Sequence, residues 1–290
     1  MEKVAYGEQR VQEYYDNCSS SAIPGAGIIG TFVGDQLHPP MVDDPDVWFV
    51  PSHWRGGTLA TNRRLFAMAG VHSSDAVLDA GCGVGGVARH IACEYNAQVV
   101  GVTNSKVQID SAAKLNRAFP YTPKPVFVFG NVEDLPFAVD SFTGAVCVNM
   151  AYHTDCKALF TELARVVVPG GWLAFDDWHI TDITTEQEVK RLVETWSPSK
   201  RFYTRRQYES ALKQAGWRIT VACDLSRIGR FYADPCFAEA MRIHLLTVAT
   251  SLYDGWGGHA LETLIDDFAY LGSLYQAGKF GYVQLVAVRA

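Results

Sequence analysis

A chain of 290 residues with 48% hydrophobic and 19% charged residues has enough apolar material for a large core and does not read as disordered. Its formal net charge of -6 contains no basic block, which sets aside nucleic-acid binding as the main role, because phosphate neutralisation needs clustered Lys and Arg. Seven cysteines without CxxC spacing point to neither a disulfide framework nor a zinc site, and no metal is expected.

The start of the chain shows no apolar run behind a basic end, and no stretch is long enough to span a bilayer, so a cytoplasmic protein is expected. Residues 1–70 read as a loop-rich, aromatic N-terminal lid or helical segment, with Gln12 to Tyr15 helical. From about 75 the pattern alternates short β-rich runs with helical segments, as βαβ units do. Val77-Leu78 ends a first strand and Gly86 to Cys93 follows as a helix. Gln98 to Val102 is a second strand, Asn104-Ser105 a capping pair, and Gln108 to Arg117 a helix. Val126 to Phe129 and Gly144 to Val148 are the third and fourth strands, and Ala158 to Val166 is a helix. Pro169-Gly170-Gly171 turns into a fifth strand, Trp172 to Asp176. A helix at 204–215, a strand from Ile219 to Cys223 and a last strand from Tyr282 to Val288 complete the order. The expected fold is a Rossmann-like, doubly wound, mostly parallel seven-stranded sheet with an antiparallel last strand. Residues 71–226 and 279–290 form its core, and residues 227–278 read as a helical lid insertion.

The most informative segment is Val77-Leu78-Asp79-Ala80-Gly81-Cys82-Gly83-Val84-Gly85-Gly86. Ligands of doubly wound sheets sit beyond the carboxyl ends of the strands, where glycines let the backbone approach. Gly81-x-Gly83-x-x-Gly86 also fits a dinucleotide fingerprint, a weak signal taken alone. Asp79 argues against that reading, since a carboxylate before the first glycine repels a pyrophosphate. It suits a ligand with an ammonium group, such as S-adenosylmethionine.

Four ordered stretches carry a family resemblance: Asp79 to Gly86; Gly101-Val102-Thr103-Asn104-Ser105; Asn131 to Phe137 followed by Asp140-Ser141-Phe142; and Arg165 to Gly171. Together they resemble the motifs of class I S-adenosylmethionine-dependent methyltransferases over about residues 70 to 225. Within that class, Gly-Val-Thr-Asn-Ser is similar to the tocopherol, sterol and bacterial natural-product enzymes. Gly34-Asp35-Gln36-Leu37-His38 and the Gly281-Tyr282 strand also resemble the rebeccamycin-type sugar O-methyltransferase and the geranyl diphosphate C-methyltransferase. The resemblance implies S-adenosylmethionine as cofactor, with Asp79, Gly81 and Gly83 at its methionine portion. It places Thr103, Asn104 and Gln108 at the ribose, Asn131 and Val132 at the adenine, and Asn149 beside them. Many members carry an acidic residue where Thr103 stands, and dinucleotide enzymes also want one there, so a dehydrogenase is disfavoured.

Methyl transfer from a sulfonium is an in-line displacement in which positioning does most of the work. A hydroxyl acceptor must also lose a proton, and a nearby His or carboxylate assists. His153, past the fourth strand, and Asp177, at the end of the fifth, match catalytic positions of the rebeccamycin-type enzyme; His179 and Asp176 are their competitors. Met150 stands where the prenyl diphosphate enzymes place a glutamate, which points away from a diphosphate acceptor. Tyr15, Trp54, Tyr152, Trp178 and Tyr232 could line an apolar chamber, although a single ring more often packs a core. The expected partner is a hydrophobic small-molecule methyl acceptor, and self-association into a homo-oligomer is left open. O-methylation stands slightly ahead of C-methylation of a prenyl, terpenoid or aromatic carbon, and a cyclase or binding module without methyl transfer is the further alternative.

Overall fold

The computed structural model describes residues 41, 43, 53–120, 122–196, 201–252 and 258–290. Seven strands form one sheet: β1 (Ala76–Ala80), β2 (Gln98–Thr103), β3 (Val126–Phe129), β4 (Phe142–Val148), β5 (Val167–Ile180), β6 (Trp217–Asp224) and β7 (Phe280–Arg289). Their order is β3-β2-β1-β4-β5-β7-β6. Strands β1 to β5 pair in parallel, while β7 runs antiparallel to both β5 and β6. The chain reverses its direction of sheet growth between β1 and β4, and that junction is where an open α/β sheet places its ligand.

The near-continuous apolar runs of β1 and β4 are what a parallel sheet covered on both faces requires. One face packs against α1 (Trp54–Ala69) and α2 (Gly86–Tyr95), with Leu65, Phe66, Val87 and Ile91 buried over Val77, Val146 and Val286. The helices α3 (Lys106–Ala118), α4 (Cys156–Val166) and α6 (Arg205–Gln214) follow β2, the loop after β4, and α5 (Glu186–Trp196). Of these, α4 and α6 cover the opposite face, where Phe160, Leu163, Tyr208 and Trp217 pack on Phe175 and Leu285. A short turn of 3-10 helix, Ile228–Ala233, with α7 (Pro235–Leu252) and α8 (Gly258–Gln276), closes a third core with the far ends of β5 and β7.

Three differences from the sequence expectation have physical causes. Residues 54–69, expected among the loop-rich N-terminal segment, form α1, which docks on the sheet through buried Leu65 and Phe66, with Met68 packed beside them, despite two neighbouring arginines. The helix α5 has no counterpart in the expected elements; most of its residues are charged or polar, and Val189, Leu192 and Val193 at helical spacing form a narrow apolar stripe. Strand β5 is longer than expected at both ends. Pro169-Gly170-Gly171 does turn, with Gly170 at φ +78°, but as an irregularity inside the strand where the register with β4 shifts between Phe142 and Gly144. At its other end β5 continues past Asp177 to Ile180, held by pairing with β7 through Phe280. Among the described residues no helix is long and apolar enough to cross a membrane.

Candidate functional site

Strand β1 delivers Asp79 to the carboxyl edge, and three glycines with positive φ follow: Gly81 at +78°, Gly83 at +53° and Gly85 at +86°. Gly81 and Cys82 both donate backbone N–H to the carbonyl of Val102, which folds the loop back against β2. A side chain at Gly81 would be strained and would also meet Met150, whose Cε lies 2.7 Å from the position of a Cβ. Gly85 caps α2, and a Cβ there would run into the Phe127 ring. The helix therefore starts with its amide groups aimed along the loop.

Beneath this loop Asp79 is 1% exposed, and its Oδ2 has no hydrogen-bond partner. Burial pushes its pKa up to about 7, opposed by the Ala88 backbone amide and by the Arg89 guanidinium. On the adjacent strand end Asn149 adopts φ +50° and also buries an unpartnered oxygen, Oδ1, while its amide N–H donates to the Asp176 carbonyl at 2.9 Å. A buried acceptor without a donor costs about 1 to 3 kcal/mol, and a strained asparagine adds to this. Two such acceptors at neighbouring strand ends, under a loop whose Gly81 and Gly85 admit no side chain, fit a ligand that brings N–H donors and positive charge.

The β2 end is built differently from expectation. Thr103 Oγ1 donates to Gln108 Oε1 at 2.6 Å, so the hydroxyl proton expected to serve a ribose is already used. Ser105, not Asn104, caps α3, accepting from the Gln108 amide at 3.1 Å. Asn104 is half-buried beside them. Beyond β3, Asn131 Oδ1 accepts from the Glu133 amide at 2.9 Å, an Asx turn. Val132 is buried against the sheet.

Sequence reading missed what holds that loop. Arg165 donates to the carbonyls of Phe137 and Leu135 at 2.8 and 2.9 Å and pairs with Glu162, which itself accepts from the Leu135 amide at 3.0 Å. Glu133 Oε1 accepts the Asp155 amide at 2.7 Å, joining the β3 loop to the start of α4. The signal was present in the Arg165 motif, but no local pattern says which carbonyls an arginine will reach.

At the β5 end the two aspartates separate. Asp177 is fully buried and accepts three backbone amides: Ala151 at 2.7 Å, Tyr152 at 3.3 Å and Trp178 at 2.7 Å. Burial pushes its pKa well up, with neighbouring Asp176 adding to the shift against those amides. It therefore shapes the 3-10 turn Ala151–His153, and the expectation that it ends the strand as a rim carboxylate is corrected: it lies inside β5 with both oxygens engaged. His153 sits on that turn, half-buried, its ring 4.1 Å from that of Tyr152. Asp176, one residue earlier, points to the other face and keeps an oxygen, Oδ1, without a partner. Burial raises its pKa to about 6, opposed by hydrogen bonding from Gln284. His179 faces away from this group, towards Gly281 and Ser226, and burial lowers its pKa.

Of the five pocket candidates, Tyr152 and Trp178 stack on each other, with ring centroids 5.6 Å apart, and Tyr152 lies parallel to Phe202 at 5.8 Å. Tyr232 is buried in the same core cluster as Tyr152, Trp178 and Phe202, stacked on Phe268 at 5.3 Å. Tyr15 and the side chain of Trp54 lie outside the described residues. No group of three or more His, Cys, Asp or Glu side chains is placed to hold a metal among the described residues.

Residues 78–175 match the protein family described as "Methyltransferase domain". The chain is 31% identical over 156 residues to a sterol 24-C-methyltransferase of Debaryomyces hansenii, covering 52% of this chain and 41% of that protein. It is 36% identical over 138 residues to the O-methyltransferase resE of Aspergillus sclerotiorum, covering 45% and 51%. A solved structure of geranyl diphosphate methyltransferase in complex with GPP and sinefungin superposes with a TM-score of 0.75 at 19% identity, covering 98% of this chain and all of that one. This chain spans about half the length of the curated relatives it matches. Residues 78–175 thus resemble a methyltransferase domain, and they lie on a Rossmann-like sheet.

Proposed function

We propose that this protein transfers a methyl group from S-adenosylmethionine to an apolar small molecule. The observation that supports it most is the pair of buried, unpartnered oxygens of Asp79 and Asn149 beneath the glycine loop. Asp79 and Asn149 would take the ammonium of the amino acid tail, with Gly81 and Gly83 giving the backbone room. Gln108 and Asn104 are the better ribose candidates, since Thr103 spends its proton on Gln108. Asn131 and Val132 would flank the adenine. Bound S-adenosylmethionine supplies an electron-poor methyl on a sulfonium, and the protein's share is to orient the acceptor and receive a proton.

For the acceptor, the Tyr152, Trp178 and Phe202 stack offers aromatic faces, which favour apolar ligands and positive charge alike. Asp176 replaces Asp177 in our reading as the acceptor-side carboxylate, because it alone of the two keeps an oxygen open. His153 stays as a second proton acceptor on a turn that Asp177 positions. We take oxygen as the methylated atom, with the carboxylate of Asp176 receiving the proton that an acceptor hydroxyl loses. Carbon is the second reading, favoured by the sterol C-methylating relatives. Those relatives do not favour a cyclase or a binding module.

Calorimetry with S-adenosylmethionine, then mass spectrometry for a gain of one methyl on phenols, sterols and prenylated indoles, tests the reading. Binding with a methylated product supports it; no binding to the wild-type protein overturns it.

A further inference from the structure

Gln284 lies in the middle of β7, directly opposite Asp176 on β5, and is fully buried. Such a position in a core strand ordinarily holds an apolar residue, as Val286 and Tyr282 do on either side. Its side chain satisfies three groups at once. Nε2 donates to Asp176 Oδ2 at 3.2 Å and to the Thr61 carbonyl at 3.2 Å, while Oε1 accepts from Arg64 Nε at 2.9 Å. Thr61 and Arg64 both come from α1, and both also bind the backbone of Met41, through Thr61 Oγ1 at 2.7 Å and an Arg64 terminal nitrogen at 3.1 Å. With Oδ2 engaged, Oδ1 is the one open oxygen of Asp176. The buried hydroxyl of Tyr282, two residues from Gln284 on the same face, lies beside the Asp176 carboxyl and also favours its charged form.

We propose that Gln284 is a positioning residue for methyl transfer, fixing the Asp176 carboxylate so that its free Oδ1 takes the proton the acceptor loses. The inference rests on the reading of Asp176 given above. In the step, an acceptor oxygen forms a bond to the methyl carbon as the carbon–sulfur bond breaks, its electron pair staying on sulfur. The acceptor O–H bond gives its pair back to oxygen and its proton to Oδ1. Asp176 is faced by Arg64 from α1, Tyr282 from β7 and Cys147 from β4, with Asp177 beside it on β5. A glutamine that only packed would leave the titration of Asp176 unchanged. One that holds the charged form should set it.

The test follows the carboxyl carbon-13 resonance of Asp176 against pH in the full-length protein, assigned through Asp176→Asn, with S-adenosylmethionine affinity measured alongside by calorimetry. Gln284→Met should move the midpoint up from about 6 by a pH unit or more, while cofactor affinity stays within twofold. Arg64→Met, which breaks the relay at its far end, should move it the same way by less, and decides the matter if Gln284→Met does not fold. An unmoved midpoint overturns the inference. Loss of cofactor binding in the wild-type protein overturns instead the functional reading beneath it.

Discussion

At the ends of β1 and β4 the side chains of Asp79 and Asn149 are not met by donors of the chain, whereas on β5 the two neighbouring carboxylates of Asp176 and Asp177 are each held by donors of the chain. Asp79 and Asn149 each bury an oxygen with no partner. Asp177 has three amide donors, and Asp176 has Gln284 and, behind it, Arg64. Unmet acceptors are tolerated where a ligand will meet them, at a cost to the empty fold. Internally satisfied ones fix the backbone that a ligand rests on. On the proposed function, the cofactor end is poised for charge and the acceptor end for shape.

The largest expected effect tests the first half of that contrast. Asp79→Asn removes the charge that would meet an ammonium, so affinity for S-adenosylmethionine should fall by about a hundredfold, as the loss of a charge-assisted bond of about 3 kcal/mol implies. The same substitution should stabilise the ligand-free protein. A carboxyl whose folded pKa is about 7 against an ordinary 3.8 disfavours folding as pH rises between those values. The relief above pH 7 is on the order of 2 to 4 kcal/mol, and thermal melts at pH 5 and pH 8 should show a gain that is larger at pH 8. Equal affinity of the variant and the wild type would remove Asp79 from the cofactor site. For the wild type, affinity should drop about tenfold from pH 8 to pH 6, because binding needs the carboxylate and its pKa without ligand lies near 7. Calorimetry across that range checks the slope.

Next in size is the acceptor side. Asp177→Ala leaves three backbone amides without their acceptor, which should cost about 2 to 4 kcal/mol in urea unfolding. Cofactor affinity should change little, since the turn that Asp177 holds carries His153 and not the glycine loop. A variant as stable as wild type would show that the turn holds itself.

Much of this was readable in the sequence for one reason: the elements proposed to bind S-adenosylmethionine lie close together along the chain. Asp79, Gly81 and Gly83 sit within five residues, and the alternation of strands and helices placed the sheet edge correctly. What stayed hidden depends on pairing across long separations. Whether Asp176 or Asp177 faces the acceptor follows from the register of β5 against β7, more than a hundred residues away, and a shift of one exchanges their faces. Arg64, Gln284 and Met41 meet across 220 and 23 residues, which no local pattern reports.

A smaller effect sharpens the contrast at its steric margin. Gly81→Ala should weaken S-adenosylmethionine binding about tenfold, since it combines positive φ with a Cβ lying 2.7 Å from Met150. The two contributions are separable. Trimming the neighbour in Gly81→Ala/Met150→Ala relieves the collision and leaves the strained backbone, so about half of the lost affinity should return by calorimetry. If the double variant binds no better than the single one, conformation alone sets the need for glycine. Met150 would then be a bystander, free to move when the loop is filled. Full recovery would mean the reverse, that the loop bends easily and that the methionine is what keeps this end of the sheet shaped for its ligand.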